Sequence, residues 1–329
     1  MAKFIIIILL VLGLGLFLLY RQVNRGLTRQ PVVFGASFNS EYAYYLGVNP
    51  KQVFEKIIGE WNFPYVRLSA QWNAIEKNPG QYDWHDLDWL MNTAAEKNVK
   101  VMLVLGYKTP RWPECHIPDW VMKSKVDTRG QLEKFMQAVV ERYYNHPALE
   151  IWQVENEPFL KFGICEKISS EDLDREIKLV KNLDPDHQVI VTDSGELSTW
   201  RKTAKRSDLF GTTVYRIVWN KFIGYWSYDW LLPAFVYRAK LWFNNRDIST
   251  AYITELQAEP WIPDKSLMET PVAEQYKSMS LEQLQKNIEF TKRIGMPRAY
   301  LWGAEWWYWL QTKGEQAIPD FIKKLNKGR

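Results

Sequence analysis

The chain repeats one local pattern eight times: a short apolar run, a loop, then an amphipathic stretch. The runs fall at 31–37, 65–68, 99–106, 149–154, 188–192, 211–215, 249–254 and 298–302. Helical stretches follow from Asn49 onward and at 83–98, 130–144, 170–183, 197–205, 233–244, 281–294 and 319–326. Asn49 before Pro50 is an N-cap followed by a residue already set for a first helical turn, and Asp83 and Ser170 cap two further helices. Runs that are apolar almost throughout are strands buried on both faces, as in an all-parallel sheet covered by helices. Eight such units in about 300 residues fit an α/β fold, a single (β/α)8 TIM barrel, better than an open sheet. The strand C-terminal ends and their loops then form one face, and chemistry belongs there. The longest loops follow the first, third, sixth and seventh strands and are rich in Trp and Tyr.

The N-terminus reads differently. Residues 4–20 form an uncharged apolar run, with Lys3 before it and Arg21, Arg25 and Arg29 after it. Seventeen residues is the short limit for a membrane-spanning helix. No small-residue cleavage site follows, which favours an uncleaved transmembrane anchor over a removed signal. The expected division is 1–30 as membrane anchor and linker and 31–329 as the barrel. The membrane is thus an expected partner, with the barrel outside the cytoplasm, since large domains translocate with little regard to flanking charge. In that setting a disulfide between Cys115 and Cys165, the only two cysteines, is one reading; two unrelated free thiols are the other.

Net charge is +4 and no Lys/Arg run of nucleic-acid type occurs, so nucleic acid is excluded as an expected partner. The four histidines (His85, His116, His146, His187) show no metal-ligand spacing, so neither a metal nor another cofactor is expected. The 17 Trp, 17 Tyr and 15 Phe are a large aromatic complement, and many Trp fall in loops, as Trp72, Trp112, Trp261 and Trp307 do.

Two carboxylates carry the chemistry. Glu157 follows the fourth strand in the run Glu155-Asn156-Glu157-Pro158, and Glu255 ends the seventh. On a closed barrel these strands face each other across a narrow mouth. Two carboxyl groups about 5 Å apart suit retaining hydrolysis of a glycosidic bond, and a gap above about 6.5 Å suits inversion.

Asn156-Glu157-Pro158 after strand four, with a Glu on strand seven, resembles the retaining glycoside hydrolases of clan A, which include cellulase-, mannanase-, β-xylosidase- and β-galactosidase-like enzymes. The resemblance covers roughly 31–326. It implies hydrolysis of a β-linked oligo- or polysaccharide by double displacement. Glu157 would be the acid/base and Glu255 the nucleophile. Asn156 would hold the sugar hydroxyl next to the anomeric carbon. Arg67 would keep Glu255 ionised, Tyr215 would hydrogen-bond it, and Trp302 would floor the site. Trp72, Trp112, Trp261 and Trp306 are candidate sugar platforms. Glu259 and Glu305 are candidate hydroxyl ligands, with structural carboxylates as the alternative. Glu155 is a second candidate acid, placed within the strand and short of the mouth.

The chain departs from the clan at two points. Thr213 stands where many members carry His two residues before the strand-six Tyr, and strand three ends in Gly106-Tyr107 without a His. Both leave the sugar open. A carbohydrate-binding or transglycosylating envelope protein on the same barrel is the alternative function, because fold alone does not give activity.

Overall fold

The structure, a computed structural model, describes residues 2–23, 31–124, 126–263 and 266–326. Its centre is the expected closed barrel of eight parallel strands: β1 Val33–Ser37, β2 Tyr65–Ser69, β3 Lys100–Leu105, β4 Leu149–Val154, β5 Gln188–Asp193, β6 Leu209–Val214, β7 Ala251–Gln257 and β8 Arg298–Trp302. Each strand pairs with its sequence neighbours, and β1 closes the ring on β8 with Val33 opposite Arg298. Gly35 is required at that seam. A Cβ there would lie 2.8 Å from the Tyr300 ring and 2.8 Å from the Tyr65 carbonyl oxygen.

The lower barrel interior is filled by Met102, Ile151, Ile190, Leu209 and Tyr300. Above that layer the inward side chains become polar: Arg67, Gln153, Thr192 and Thr254 are all buried. The apolar core lies between barrel and helices. The helix Leu281–Ile294 shows how the sequence builds that layer. Ser280 caps its first turn by accepting from the Gln283 N–H, Leu284, Ile288 and Ile294 are buried on one side, and Gly295 ends it at φ +85°.

Strand seven is longer than expected and carries one extra residue. Thr212 pairs with Ile253 but Thr213 with Glu255, and on the other side Ala299 pairs with Ile253 but Leu301 with Leu256. A bulge of this kind bends a strand and re-aims the side chains at it. Here it falls at Thr254 and Glu255.

Three readings need correction. No helix forms over 197–205; the segment is a series of turns in which Trp200 takes φ +67°, incompatible with a helix interior. The loop after β6 contains an antiparallel hairpin, Ile217–Asn220 with Gly224–Ser227, that the sequence reading did not anticipate. The third correction concerns the membrane span. Residues 4–20 do lie in a helix, Ala2–Val23, but among the described residues no helix is long and apolar enough to cross a membrane. Instead its C-terminal end packs on helix Ala234–Phe243, where the Tyr20 and Phe235 rings meet edge-on at 5.9 Å. Phe4, Ile5, Val11 and Phe17 are exposed along it. Arg25, Arg29 and the linker to residue 30 lie outside the described residues.

Candidate active site

A cavity of about 1290 Å³ opens at the C-terminal ends of the strands and is lined by Asn156, Glu157, Tyr215, Glu255, Glu259, Trp261 and Trp302 among others. Its floor is organised by one guanidinium. Arg67, on β2 and buried, reaches across the barrel. Its Nη1 donates to Glu255 Oε1 (2.8 Å), its Nη2 to Asn156 Oδ1 (2.8 Å) and its Nε to Gln153 Oε1 (2.8 Å). The planar fork thereby ties β7 to the segment after β4. The second Glu255 oxygen accepts from the Tyr215 hydroxyl at 2.9 Å. Burial first, and then the Glu255 charge, push the Tyr215 phenol well above its ordinary range, so it stays a neutral donor.

Glu157 has different surroundings. Its backbone N–H donates to Thr192 Oγ1 (2.9 Å), and its Oε1 lies 3.3 Å from Thr213 Oγ1. No cation bonds its carboxyl among the described residues; Lys108 Nζ donates instead to its backbone carbonyl, at 3.2 Å. Burial, the largest cause, and then the Glu255 charge hold the Glu157 carboxyl well above the usual range. Glu155 and Glu157 both take left-handed backbone, φ +60° and +44°. Such angles cost non-glycine residues on the order of 1–3 kcal/mol and cluster at functional sites. The strained turn lets Glu155 and Glu157 serve different places. Glu155 accepts the Tyr107 and Lys108 N–H groups (2.5 and 2.7 Å) and pins the loop after β3, while Glu157 lines the cavity.

The aromatic candidates divide. Trp261 lines the cavity, edge-on to Tyr215 at 5.5 Å and tilted to Phe162 at 6.2 Å, and Phe162 in turn meets the exposed Trp112 at 6.2 Å. Trp302 also lines it, donating from Nε1 to Glu259 Oε1 (2.7 Å). One face of the Trp302 ring is covered by Arg111 at 4.0 Å, and Tyr42 lies over the same guanidinium at 3.6 Å. Trp72 is no platform: it is 1% exposed, stacks on Phe135 and donates to Glu76 Oε2 (2.6 Å). Trp306 and Trp307 are likewise buried in the core, Trp306 donating to Gln275 and Trp307 to the Ala258 carbonyl. Helix formation turned these three inward.

Of the two remaining carboxylates, Glu259 lines the cavity and pairs with Arg111. Glu305 does not reach it. It is fully buried beneath Arg111, accepting from Arg111 (2.9 Å) and from the Asn39 N–H (2.6 Å). A structural role therefore replaces sugar contact for Glu305. Cys115 and Cys165 are joined in a disulfide that ties the loop after β3 to the loop after β4.

Sequence reasoning missed Arg111, Glu114 and Glu196. Glu196, after β5, lines the cavity and accepts from the Tyr215 N–H (2.9 Å), the Tyr237 hydroxyl (2.6 Å) and Thr213 Oγ1 (3.2 Å). The one local signal was Gly195, where a Cβ would lie 2.0 Å from the Thr213 carbonyl oxygen. Arg111 and Glu114 sit in an irregular loop, 107–116, with no periodicity to read.

Known proteins bear on this geometry. The sequence model of Glycosyl hydrolase family 10 matches residues 31–174, a stretch that includes Asn156 and Glu157 and ends before Glu255. "Beta-galactosidase BgaA" of Clostridium cellulovorans is 26% identical over 175 residues, covering 46% of this chain and 26% of that protein. "Mannan endo-1,4-beta-mannosidase A" of Podospora anserina is 25% identical over 164 residues, covering 43% of this chain and 42% of that protein. The chain thus spans less than half the length of these relatives. Among solved structures, native xylanase 10B from Thermotoga maritima superposes with a TM-score of 0.58 at 16% identity, over 94% of this chain and 98% of that one, and shows the shared fold. The family match and the named relatives agree with the resemblance to glycoside hydrolases, and the solved structure shares the barrel fold.

Proposed function

We propose that the protein is a retaining β-glycoside hydrolase that cleaves a β-linked oligo- or polysaccharide with Glu157 and Glu255. The observation that carries this is the contrast between two carboxyl groups lining one cavity. Glu255 is clamped by the Arg67 guanidinium and the Tyr215 hydroxyl. No cation bonds the Glu157 carboxyl among the described residues, and its burial beside Glu255 favours the protonated form. Environments that separate two carboxyls in this way mark out an acid and a nucleophile. In the first step the ionised Glu255 attacks the anomeric carbon while Glu157 gives its proton to the departing oxygen. In the second, Glu157, now a base, takes a proton from water, and the water oxygen displaces Glu255. Asn156, held through Oδ1 by Arg67, keeps Nδ2 for the sugar hydroxyl beside the anomeric carbon.

The names of the relatives point to galactosides, mannans and xylans as the substrates to try first. The run Trp112–Phe162–Trp261 supports further sugar units, because ring faces stack on pyranoses. The same run favours transglycosylation as a second reading, with a bound sugar taking the place of water.

The test is turnover of p-nitrophenyl β-galactoside, β-mannoside, β-xyloside and β-glucoside, and of the matching soluble polysaccharides. Product anomers are followed by NMR. The β-anomer should form first. E157Q should lose about 10²–10⁴-fold, most strongly on poor leaving groups, and E255Q at least as much on every substrate. Inversion, or full activity in either variant, would refute the assignment.

We further propose that the barrel works outside the cytoplasm and is held at a lipid surface by the N-terminal helix. The Cys115–Cys165 bridge supports the first, since disulfides persist in oxidising compartments. The exposed apolar side chains of that helix support the second.

A further inference from the structure

One more carboxyl group, beside Glu157, Glu255, Glu259 and Glu196, stands in the catalytic cavity without a part in the chemistry described above. Glu114 lines the cavity and is 7% exposed. Its Oε2 accepts from Asn156 Nδ2 at 3.4 Å. No protein donor bonds its Oε1 among the described residues.

The backbone spends unusual effort on holding Glu114 there. The residue takes left-handed φ, +74°. Its N–H donates to the Arg111 carbonyl (2.7 Å), and its own carbonyl accepts from the Thr109 N–H (2.8 Å). The next residue, Cys115, is bridged to Cys165. Behind it runs Gly163 at φ +86°, where a Cβ would lie 2.6 Å from Glu114 Cβ. The Ile164 N–H then donates to the Pro113 carbonyl at 3.0 Å. Disulfide, glycine and left-handed turn converge on one side chain, and a loop that merely covered the barrel has no need of that.

The position matters because of what Asn156 already does. Its Oδ1 is taken by Arg67 Nη2 (2.8 Å) and Thr192 Oγ1 (3.2 Å), so only Nδ2 is left to face the cavity. Glu114 is the group to which Nδ2 points. Asn156 and Glu114 together thus present an amide N–H and a carboxyl oxygen side by side.

We propose that Glu114 is a positioning and specificity-determining residue that aims the Asn156 amide and, with it, recognises the hydroxyl next to the anomeric carbon of the cleaved sugar. This rests on the glycosidase reading above. A hydroxyl is at once donor and acceptor, and the pair offers it one partner of each kind. The protonation state is consistent with contact to neutral sugars. Burial, opposed by Lys108 and assisted by the Glu255 charge, raises the Glu114 carboxyl to about 8, with Arg67 lowering it and Glu157 also facing it. At neutral pH the group is an uncharged acid and does not add a second full charge beside Glu255.

The experiment uses the full-length protein with E114A, E114Q, N156A and the E114A/N156A double variant. The substrate is whichever p-nitrophenyl β-glycoside wild type cleaves fastest, together with its 2-deoxy analogue. E114A should lower kcat about 10–100-fold on the hydroxylated substrate and much less on the 2-deoxy analogue, because the hydrogen bonds lost are those to the missing hydroxyl. E114Q, which keeps an acceptor oxygen, should fall between E114A and wild type. The double variant should lose little more than N156A alone. Equal losses on both substrates, or losses that simply multiply in the double variant, would overturn the proposal while leaving the glycosidase reading intact.

A second readout needs no turnover. The Asn156 side-chain amide resonances should shift with a midpoint near pH 8 in wild type and not in E114Q. A flat response in wild type counts against the contact. If wild type cleaves nothing, the glycosidase reading fails separately, and this titration still decides whether Glu114 holds Asn156.

Discussion

At the scale of single residues, Glu157 gains chemical use at the cost of stability. Its folded carboxyl keeps a proton that the unfolded chain releases near the ordinary glutamate range. Each unit between the two values costs about 1.4 kcal/mol of folding free energy once pH exceeds the unfolded value. The sign follows from proton counting. The native state binds more protons, so stability declines as pH rises from about 4.5 towards the folded value, and below that window nothing is lost. E157Q removes the burden. Its melting temperature should match wild type near pH 4 and exceed it by a growing margin as pH rises, as calorimetry across pH 4–8 would measure. A constant difference at every pH would mean that the carboxyl titrates normally in the fold. Activity should depend on the same proton: the general acid, and turnover with it, is lost as pH rises through the folded value. Arg67 shows the converse economy. One buried cation meets Glu255, Asn156 and Gln153 with charge-assisted bonds, and so joins β2, which carries it, to β7 and to β4 with its extension.

At the scale of elements, the loops after β3 and β4 act as one piece. Loop 107–116 carries Arg111 over Trp302 and Glu114 against Asn156, and the Cys115–Cys165 bridge fastens it across a separation of 50 residues. Closing a loop of that length stabilises a fold by about 2–4 kcal/mol, chiefly by restricting the unfolded chain. The double variant C115S/C165S should therefore melt several degrees lower. Because both side chains in this loop face the cavity, kcat should also fall at temperatures where circular dichroism still reports a fully folded barrel. Unchanged kinetics in the folded variant would show that the loop holds its place without the bridge. This loop also marks where sequence reading stops. The strands were legible because burial on both faces writes itself as unbroken apolar runs, and Asn156-Glu157-Pro158 was legible because it sits at the end of one. The bulge that puts Thr254 and Glu255 out of step with β6 and β8 was not, since a bulge is a mismatch between strands and leaves no pattern within one. Residues 197–205 looked helical by composition, but Trp200 buries its ring and donates to the Ser194 carbonyl (2.8 Å), and that tertiary contact outweighs weak local propensity. The burial of Trp72, Trp306 and Trp307 was hidden for the same reason.

At the scale of the whole molecule, the barrel and the N-terminal helix are separable in their physics. The barrel closes between β1, which begins at Val33, and β8, and no described residue before 31 contributes to the ring or to the cavity. The helix Ala2–Val23 touches the rest through its C-terminal end, at Tyr20 and Phe235. Its exposed Phe4, Ile5, Val11 and Phe17 have no counterpart on the barrel to cover them among the described residues. Burying each such side chain contributes about 1.5–3 kcal/mol. A few of them inserted into the acyl boundary of a bilayer would hold the protein there without any need to cross it. The chain beginning at Pro31 should therefore keep its melting transition, its far-ultraviolet spectrum and its kcat on a soluble aryl glycoside. It should differ from the full chain in one assay, flotation with phosphatidylcholine–phosphatidylglycerol vesicles, where the full chain rises with the lipid and the shortened one stays below. If both stay below, the exposed apolar helix is not a lipid-binding element. If the shortened chain also loses its melting transition, then the contact with helix Ala234–Phe243 is part of the fold itself, and the separation argued from the ring closure is wrong.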